Sequence, residues 1–452
     1  MKLFPQKNDF NFILRLALPA IAGLSTQMMV SLIDTAMIGR LENTELSLAA
    51  MGIAVLATWA VISFFSSLAT GTHVLTARSY GSKNFSTCSS ILSTSIILNL
   101  LVGIIVASVI VIFSDSIAQF FSANVSVGKE AGRYLHFRFM GLPFFLITVA
   151  FRGFYFGIGK TKIFMYSGII VNTVNVLLNY IFIYGEFGIA PMGLSGAAIG
   201  STLATIVDVI FYIMVTTSKN INIKFNIIKN FQFDIRSLVS IVKISFPVSF
   251  QNISILIGFL SFLSIIGLIG VHEQAVSQLV FSALLISLMP NLGFGVAVQT
   301  LFGNNLGANK LKKGIAYVYD SVRISTFYTF SLLIIFYFFP QMILILITND
   351  KELINSAIPI MKIAGIGQLF YASGVVFANS LQVAGYSLFV MVADMLSNLL
   401  VFVPIAYFLG VYLKFGYEFA WGALPIYTLL YSAINYFKFG KHKNDFNQLI
   451  KN

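Results

Sequence analysis

Apolar runs of about twenty residues or more recur along the whole of this sequence, and few folds can accommodate them. A bilayer core about 30 Å thick is crossed by roughly 20 apolar residues in a helix. Twelve runs read as such spans, near 12–36, 47–73, 90–113, 132–157, 162–184 and 194–217, then 240–268, 274–300, 316–347, 358–384, 387–411 and 419–438. They are continuous, and too long for the alternating segments of about ten residues that build a membrane β-barrel. Composition agrees. Hydrophobic residues make up 58% of the 452 and charged residues only 10%, against about 25% charged in a soluble domain. That excludes a water-soluble fold, a disordered chain and a nucleic-acid-binding domain. The net charge of +12, which in a soluble protein would suggest DNA, here resides mostly in short loops between apolar runs. No cleavable signal peptide is visible: the first run is long enough to span, carries Asp34 and reads as a retained helix. The single cysteine, Cys88, excludes an internal disulfide and a thiolate metal cluster.

Twelve spans put both termini on one side. Arg78 and Lys83, Lys160 and Lys162, the basic connection at 218–243, and Lys310, Lys312 and Lys313 fall on that side with the terminal lysines, including Lys2 and Lys451. Arg40, Lys129, Arg133, Lys351 and Lys414 fall on the other. The excess of cations makes the side of the termini cytoplasmic. The 218–243 connection also divides the chain into halves that look like a repeat. YGSKN at 80–84 matches LGANK at 306–310, and the same offset aligns GIGKTKIF (157–164) with VAGYSLF (383–389) through Gly159 and Gly385. Six spans per half make the repeat parallel, the architecture of a two-lobed transporter. The expected organisation is a first lobe at 1–217, a cytoplasmic inter-lobe loop at 218–238, and a second lobe with a basic tail at 239–452. The expected fold class is all-α integral membrane: twelve transmembrane helices in two six-helix lobes with pseudo-two-fold symmetry.

An ionisable group at membrane depth costs several kcal/mol unless paired or hydrated, so it is a functional candidate by default. The acids in or near spans are Asp34, Asp208, Asp320 and Asp394. Histidines 73, 136, 272 and 442 have no ligand spacing, and no H-E-x-x-H, G-x-S-x-G or Walker-type glycine loop occurs, so neither an intramembrane enzyme nor an ATP-driven pump has a basis. Asp34 lies near the outer end of the first span. Asn175 and Asn179, four apart on one face of the fifth, reach the same depth, as do Ala197 and Ser201 in the outer half of the sixth. A carboxylate with amide and hydroxyl neighbours can bind a proton or a sodium ion. The bland alternative is interhelical glue, worth about 0.6 kcal/mol per hydrogen bond. Asp208, seven residues beyond Ser201, reads as a proton relay, an inner-mouth residue or a structural pair. Asp394 and Asn398 share a face of the eleventh span as possible secondary polar positions, and Asp320 is placed to pair with Arg323. Pro19, fifteen residues before Asp34, could kink the first helix or be a tolerated membrane proline.

These residues resemble the multidrug and toxic compound extrusion (MATE) transporters, of the MOP superfamily. LALPAIAGLSTQMMVSLIDTAMIGRL (16–41) is similar to that family's first helix, proline and aspartate included, and ATGTHVLTARSYGSKN (69–84) to the end of its second. FRGFYFGIGKTK (151–162), VNTVNVLLNYIFIYG (171–185) and GLSGAAIGST (193–202) resemble its fourth to sixth helices, and LGFGVAVQTLFGNNLGANK (292–310) the matching segment of the second half. The resemblance implies an antiporter, not an enzyme, that exports amphiphilic and cationic organic compounds against a proton or sodium gradient, with no cofactor. Carried over by position, Asp34 matches the ion-coupling aspartate and Asn175 the asparagine of the fifth-helix motif, where Na+ would also sit. Asn179 stands where the DinF-like branch has an aspartate. Tyr134, Ala197 and Ser201 fall close to other ion-site positions. Ile255 and Tyr371 occupy the approximate places of the second-half acids of the NorM-like branch. The resemblance thus favours a DinF-like member, coupled through the first lobe, monomeric, in a bacterial inner membrane. The runner-up reading is a lipid or oligosaccharide flippase of the same superfamily.

Overall fold

The structure is a computed structural model that describes residues 7–41, 44–443 and 445–446; Lys2 and Lys451 lie outside them. The described residues are overwhelmingly helical and contain no strand. In chain order the helices are α1 (Lys7–Ile38), α2 (Thr44–Ser66), α3 (Leu68–Gly81), α4 (Phe85–Phe120), α5 (Val125–Met140), α6 (Leu142–Gly157), α7 (Thr161–Tyr184), α8 (Gly193–Thr217) and α9 (Lys219–Phe225). Then come α10 (Ile235–Ile269), α11 (Val271–Gly307), α12 (Leu311–Phe338), α13 (Pro340–Leu344), α14 (Lys351–Val383), α15 (Ser387–Met395), α16 (Val403–Tyr407), α17 (Tyr417–Trp421) and α18 (Ala423–His442). π-helical turns at Leu396–Phe402 and Phe408–Tyr412 join α15 to α16 and follow it. Among the described residues ten helical stretches are long and apolar enough to cross a membrane, and the pair α5 and α6, bent by 48°, makes an eleventh. The twelfth expected span falls on α18, a helix of 20 residues with Lys438 and Lys441 in its last turns.

The helices overrun the apolar stretches. α4 has 36 residues, roughly 54 Å at 1.5 Å per residue, well beyond the hydrocarbon layer. Arg78 and Lys129, expected in loops, are helical. Hydropathy marks where lipid ends, whereas backbone hydrogen bonding carries the helix on into water. The fourth span breaks at Gly141 because Pro143 cannot continue the ladder. The Gly141 amide donates to Arg138 O rather than one turn back to Phe137, and the Phe137 carbonyl thus freed accepts from Thr202 Oγ1 at 2.9 Å, the substitution a lipid-embedded break requires.

The chain forms two compact units, Ala22–Phe246 and the residues up to Ile21 together with those from Pro247 on. The boundaries lie inside α1 and α10, beside Pro19 and at Pro247. In the first unit α7 packs along α8, α4 against α5 and α6, and α3 against α6. An aromatic cluster that includes Phe151, Phe154, Tyr155, Tyr212 and Phe225 seats α9 against these helices. In the second unit α14 is the centre, contacting α11, α12 and α18. Asp320 pairs with Arg323 at 2.5 Å.

Asp234 caps α10. Its carboxylate accepts from Ser237 Oγ at 2.6 Å and from the amides of Ser237 and Arg236 at 3.0 and 3.2 Å, and its own amide donates to Thr94 Oγ1 of α4 at 3.0 Å. The Ser237 hydroxyl, then the capped amides, hold this half-exposed carboxyl below the usual aspartate range. Its cap is therefore intact at neutral pH and weakens only as pH falls through that lowered value. Replacing it, Asp234→Ala, is expected to cost about 1 kcal/mol, read as a lower midpoint of thermal unfolding in detergent; Asp234→Asn keeps most of the cap.

Candidate functional site

The α7–α8 hairpin builds the site. Gly185 ends α7 in the left-handed region (φ +81°), and the Met192 amide returns to Phe182 O at 2.9 Å, so α8 starts antiparallel to α7. Two glycines one turn apart then bring the helices together. A side chain on Gly196 would strike the backbone carbonyl of Phe182, and one on Gly200 would strike Asn179 Oδ1. This is small-xxx-small packing, in which glycine lets backbones approach. Its result is that Asn175 and Asn179, on one face of α7, meet Ser201 beside Gly200.

α1 lies along the other side of α7. A Cβ on Gly168 would sit 2.8 Å from Thr26 Oγ1, and Tyr184 Oη donates to Met37 O at 2.8 Å. Between these contacts Asn179 Nδ2 donates to Asp34 Oδ1 at 2.7 Å and to Asn175 Oδ1 at 3.2 Å. Asn175 Nδ2 donates in turn to Ser201 Oγ at 3.0 Å. Asn175 and Asn179 are buried, and Asn179 Oδ1 has no hydrogen-bond partner. Asp34, Asn179, Asn175 and Ser201 thus form one polar chain across α1, α7 and α8. Tyr134 and Ala197 are buried together in the apolar cluster that also holds Ile38 and Ile183, and Tyr134 lies within electrostatic reach of Asp34.

Asp34 is half-buried. Arg138 of α5 is within its electrostatic reach, but the ion pairs among the described residues are Arg133–Glu130 and Arg323–Asp320. Asp34 is held by an amide rather than clamped by a cation. A hydrogen bond to a charged acceptor contributes about 1.5–3 kcal/mol, comparable to the cost of placing an aspartate at membrane depth. The chemistry on offer is reversible binding of one positive charge by one carboxylate, with neutral amide and hydroxyl oxygens around it. No group of three or more metal-ligating side chains exists among the described residues.

The other candidates lie apart. Asp208 accepts from Ser167 Oγ at 2.6 Å and is near Arg152, whose Nη2 donates to Ser66 O at 3.4 Å. Asp394 accepts from Tyr427, while Asn398 donates to Ser254 O at 3.1 Å. Pro19 sits inside a continuous α1. Sequence reasoning did not place Arg138 beside Asp34, and it missed Gly196 and Gly200. The last two were readable from the spacing G-A-A-I-G, but the partner surface was not.

This arrangement of apolar helices around a few polar side chains is that of a polytopic membrane transporter. The MatE family profile matches residues 19–181 and again 247–408, stretches that begin on Pro19 and Pro247, and the chain belongs to that family of transporters. A probable multidrug resistance protein NorM from Thermotoga maritima is 25% identical over 421 residues, covering 90% of this chain and 87% of its own. The probable multidrug resistance protein YoeA of Bacillus subtilis is 22% identical, covering 86% and 85%. A solved MOP superfamily transporter from Pyrococcus furiosus has the same fold, with a TM-score of 0.88, 20% identity and 96% of each chain covered.

Proposed function

We propose that this transporter is a secondary active exporter that antiports amphiphilic, cationic organic compounds against a proton or sodium gradient, with Asp34 as its ion-coupling group. The observation that carries this reading is the carboxylate held by Asn179 and through Asn175 to Ser201, with no cation clamped on it. A permanent arginine pair would leave it nothing to exchange; an amide partner leaves one charge to be filled. The relatives named for multidrug resistance support organic compounds as cargo. Ile255 and Tyr371, in the approximate places of the NorM-like branch's second-half acids, support a DinF-like member, from which Asn179 departs by replacing an aspartate. In the proposed cycle Asp34 takes a cation from outside as substrate leaves, releases it inside, and cytosolic substrate then binds; α1 bends at Pro19 between the two states. The ion shifts the equilibrium only by its differential affinity for them. We place the protein as a monomer in the bacterial cytoplasmic membrane with both termini in the cytosol, on the basic loops.

The test is transport of a fluorescent organic cation by the purified protein in liposomes, with pH and sodium gradients imposed separately. Uphill movement under one of them is expected. Movement that only follows the substrate's own gradient indicates a passive channel and contradicts the proposal, as does transport of lipid-linked substrates alone.

A further inference from the structure

The connection between α8 and α10 is strapped to the first unit at both ends. On the inner side of α9 and the turn after it, Ile221, Phe225 and Ile227 are buried. Phe225 meets Phe154 and Phe85 edge-on at 5.4 and 5.5 Å. Lys224 Nζ stands 4.5 Å from the centre of the Tyr80 ring and 4.8 Å from that of Phe85, and donates to Tyr80 Oη at 2.9 Å. Asn226, in the left-handed region (φ +49°), ends α9. The Ile228 amide then returns to Asn222 Oδ1 at 3.3 Å, and the bond from the Asp234 amide to Thr94 fixes the far end.

So held, the connection turns a second set of apolar side chains outward. Ile223, Ile228, Phe231, Phe233 and Ile235 are exposed, from 50% for Phe233 to 75% for Ile223. They continue in the chain from Ile213 and Met214, which are exposed on the apolar span of α8. Interleaved with them are the exposed cations Lys219, Lys229 and Arg236. The sequence from Ser218 to Arg236 has one acid, Asp234, and its carboxylate is engaged in the cap of α10.

Large apolar side chains fixed outward into water are unfavourable, and a strap pinned at both ends cannot fold them in. Apolar groups interleaved with cations suit the headgroup region of a bilayer, where the former enter the acyl boundary and the latter meet phosphates. The connection begins and ends on helices that cross the membrane, α8 and α10, so that region is at hand. We infer that residues 219–236 are a docking surface for anionic phospholipid, with Ile228, Phe231 and Phe233 in the acyl boundary and Lys219, Lys229 and Arg236 on the phosphates. The orientation proposed above makes the leaflet the cytoplasmic one; the binding itself does not depend on that orientation.

The test uses the full-length protein in lipid nanodiscs, with a bimane fluorophore attached at Phe231→Cys; Cys88 is buried and does not compete for the label. Brominated phosphatidylglycerol and brominated phosphatidylcholine are offered in turn as quenchers. A second variant, Ile210→Cys, reports ordinary lipid contact from an exposed position on α8. Both lipids should quench the label on α8 alike. At Phe231→Cys the anionic lipid should be preferred several-fold. That preference should fall about fivefold with each of Lys219→Gln and Lys229→Gln at low ionic strength, and fall again with added salt. Equal quenching by the two lipids at Phe231→Cys overturns the inference. So does a label there that stays open to aqueous iodide and is quenched by neither lipid, which puts the strap in water. A label shielded from lipid and iodide alike also overturns it, because the occupant is then protein. Neither substrate nor gradient enters the experiment, so its failure leaves the antiport reading standing, and failure of that reading leaves this one.

Discussion

Asp34→Asn is expected to give a folded protein that binds substrate but no longer drives it uphill. The substitution keeps the shape of the side chain and an oxygen able to accept from Asn179 Nδ2, now 2.7 Å from Asp34 Oδ1. What it removes is the negative charge, and with it the differential ion affinity that would bias one conformation over the other. Gradient-driven efflux in liposomes should therefore fall to the level of protein-free vesicles, while equilibrium binding of the fluorescent cation changes by less than about tenfold, roughly 1.4 kcal/mol. The pairing of these two readouts separates loss of coupling from loss of fold. Efflux that persists undiminished removes Asp34 from the coupling role.

A comparable loss is expected from a residue that carries no charge and touches no ion. A Cβ on Gly200 would meet Asn179 Oδ1 directly and the Asn179 backbone nitrogen at 3.0 Å. Gly200→Val must therefore push the α7 amide away from Asp34 or part the two helices. Overpacking of this kind costs about 1–3 kcal/mol, and the Asp34–Asn179–Asn175–Ser201 chain is the part of the structure in the way. Coupled efflux should drop steeply in Gly200→Val with Asp34 intact, and more mildly in Gly200→Ala. Combined with Asn179→Ala, the Gly200→Ala substitution should lose most of its cost in thermal unfolding, because the colliding amide is gone; the coupling energy of that cycle is the measurement. Equal costs in both backgrounds would show that Gly200 matters through backbone packing and not through Asn179.

Much of this site was legible before any coordinates. Depth along a helix follows from counting residues at 1.5 Å each, and faces follow from the 3.6 period, so Asp34, Asn175, Asn179 and Ser201 could be placed at one level on three helices. What counting does not supply is which faces touch. That depends on how closely helices approach, and here Gly196, Gly200 and Gly168 decide it. Arg138 was invisible as a neighbour of Asp34 because the break at Gly141 re-aims α5 relative to α6. The surroundings of Asp394 were hidden for a different reason. The π-helical turns after Met395 alter the side-chain register, so that Asn398 binds Ser254, and the tyrosines around the carboxyl come from α14 and α18, far away in the chain. The spans themselves were readable because lipid imposes a simple rule on composition. Their ends were not, because a helix entering water obeys hydrogen bonding instead.

The most direct test of the central claim is cation release on substrate binding, measured with the purified protein in detergent by a pH-sensitive dye or a sodium electrode. If substrate and ion compete through one conformational equilibrium, each must weaken the other by the same factor. Wild-type protein is expected to release a proton or a sodium ion when the organic cation binds, and Asp34→Asn to bind it with that release abolished. Equal release from both proteins, or none from the wild type, would contradict the account.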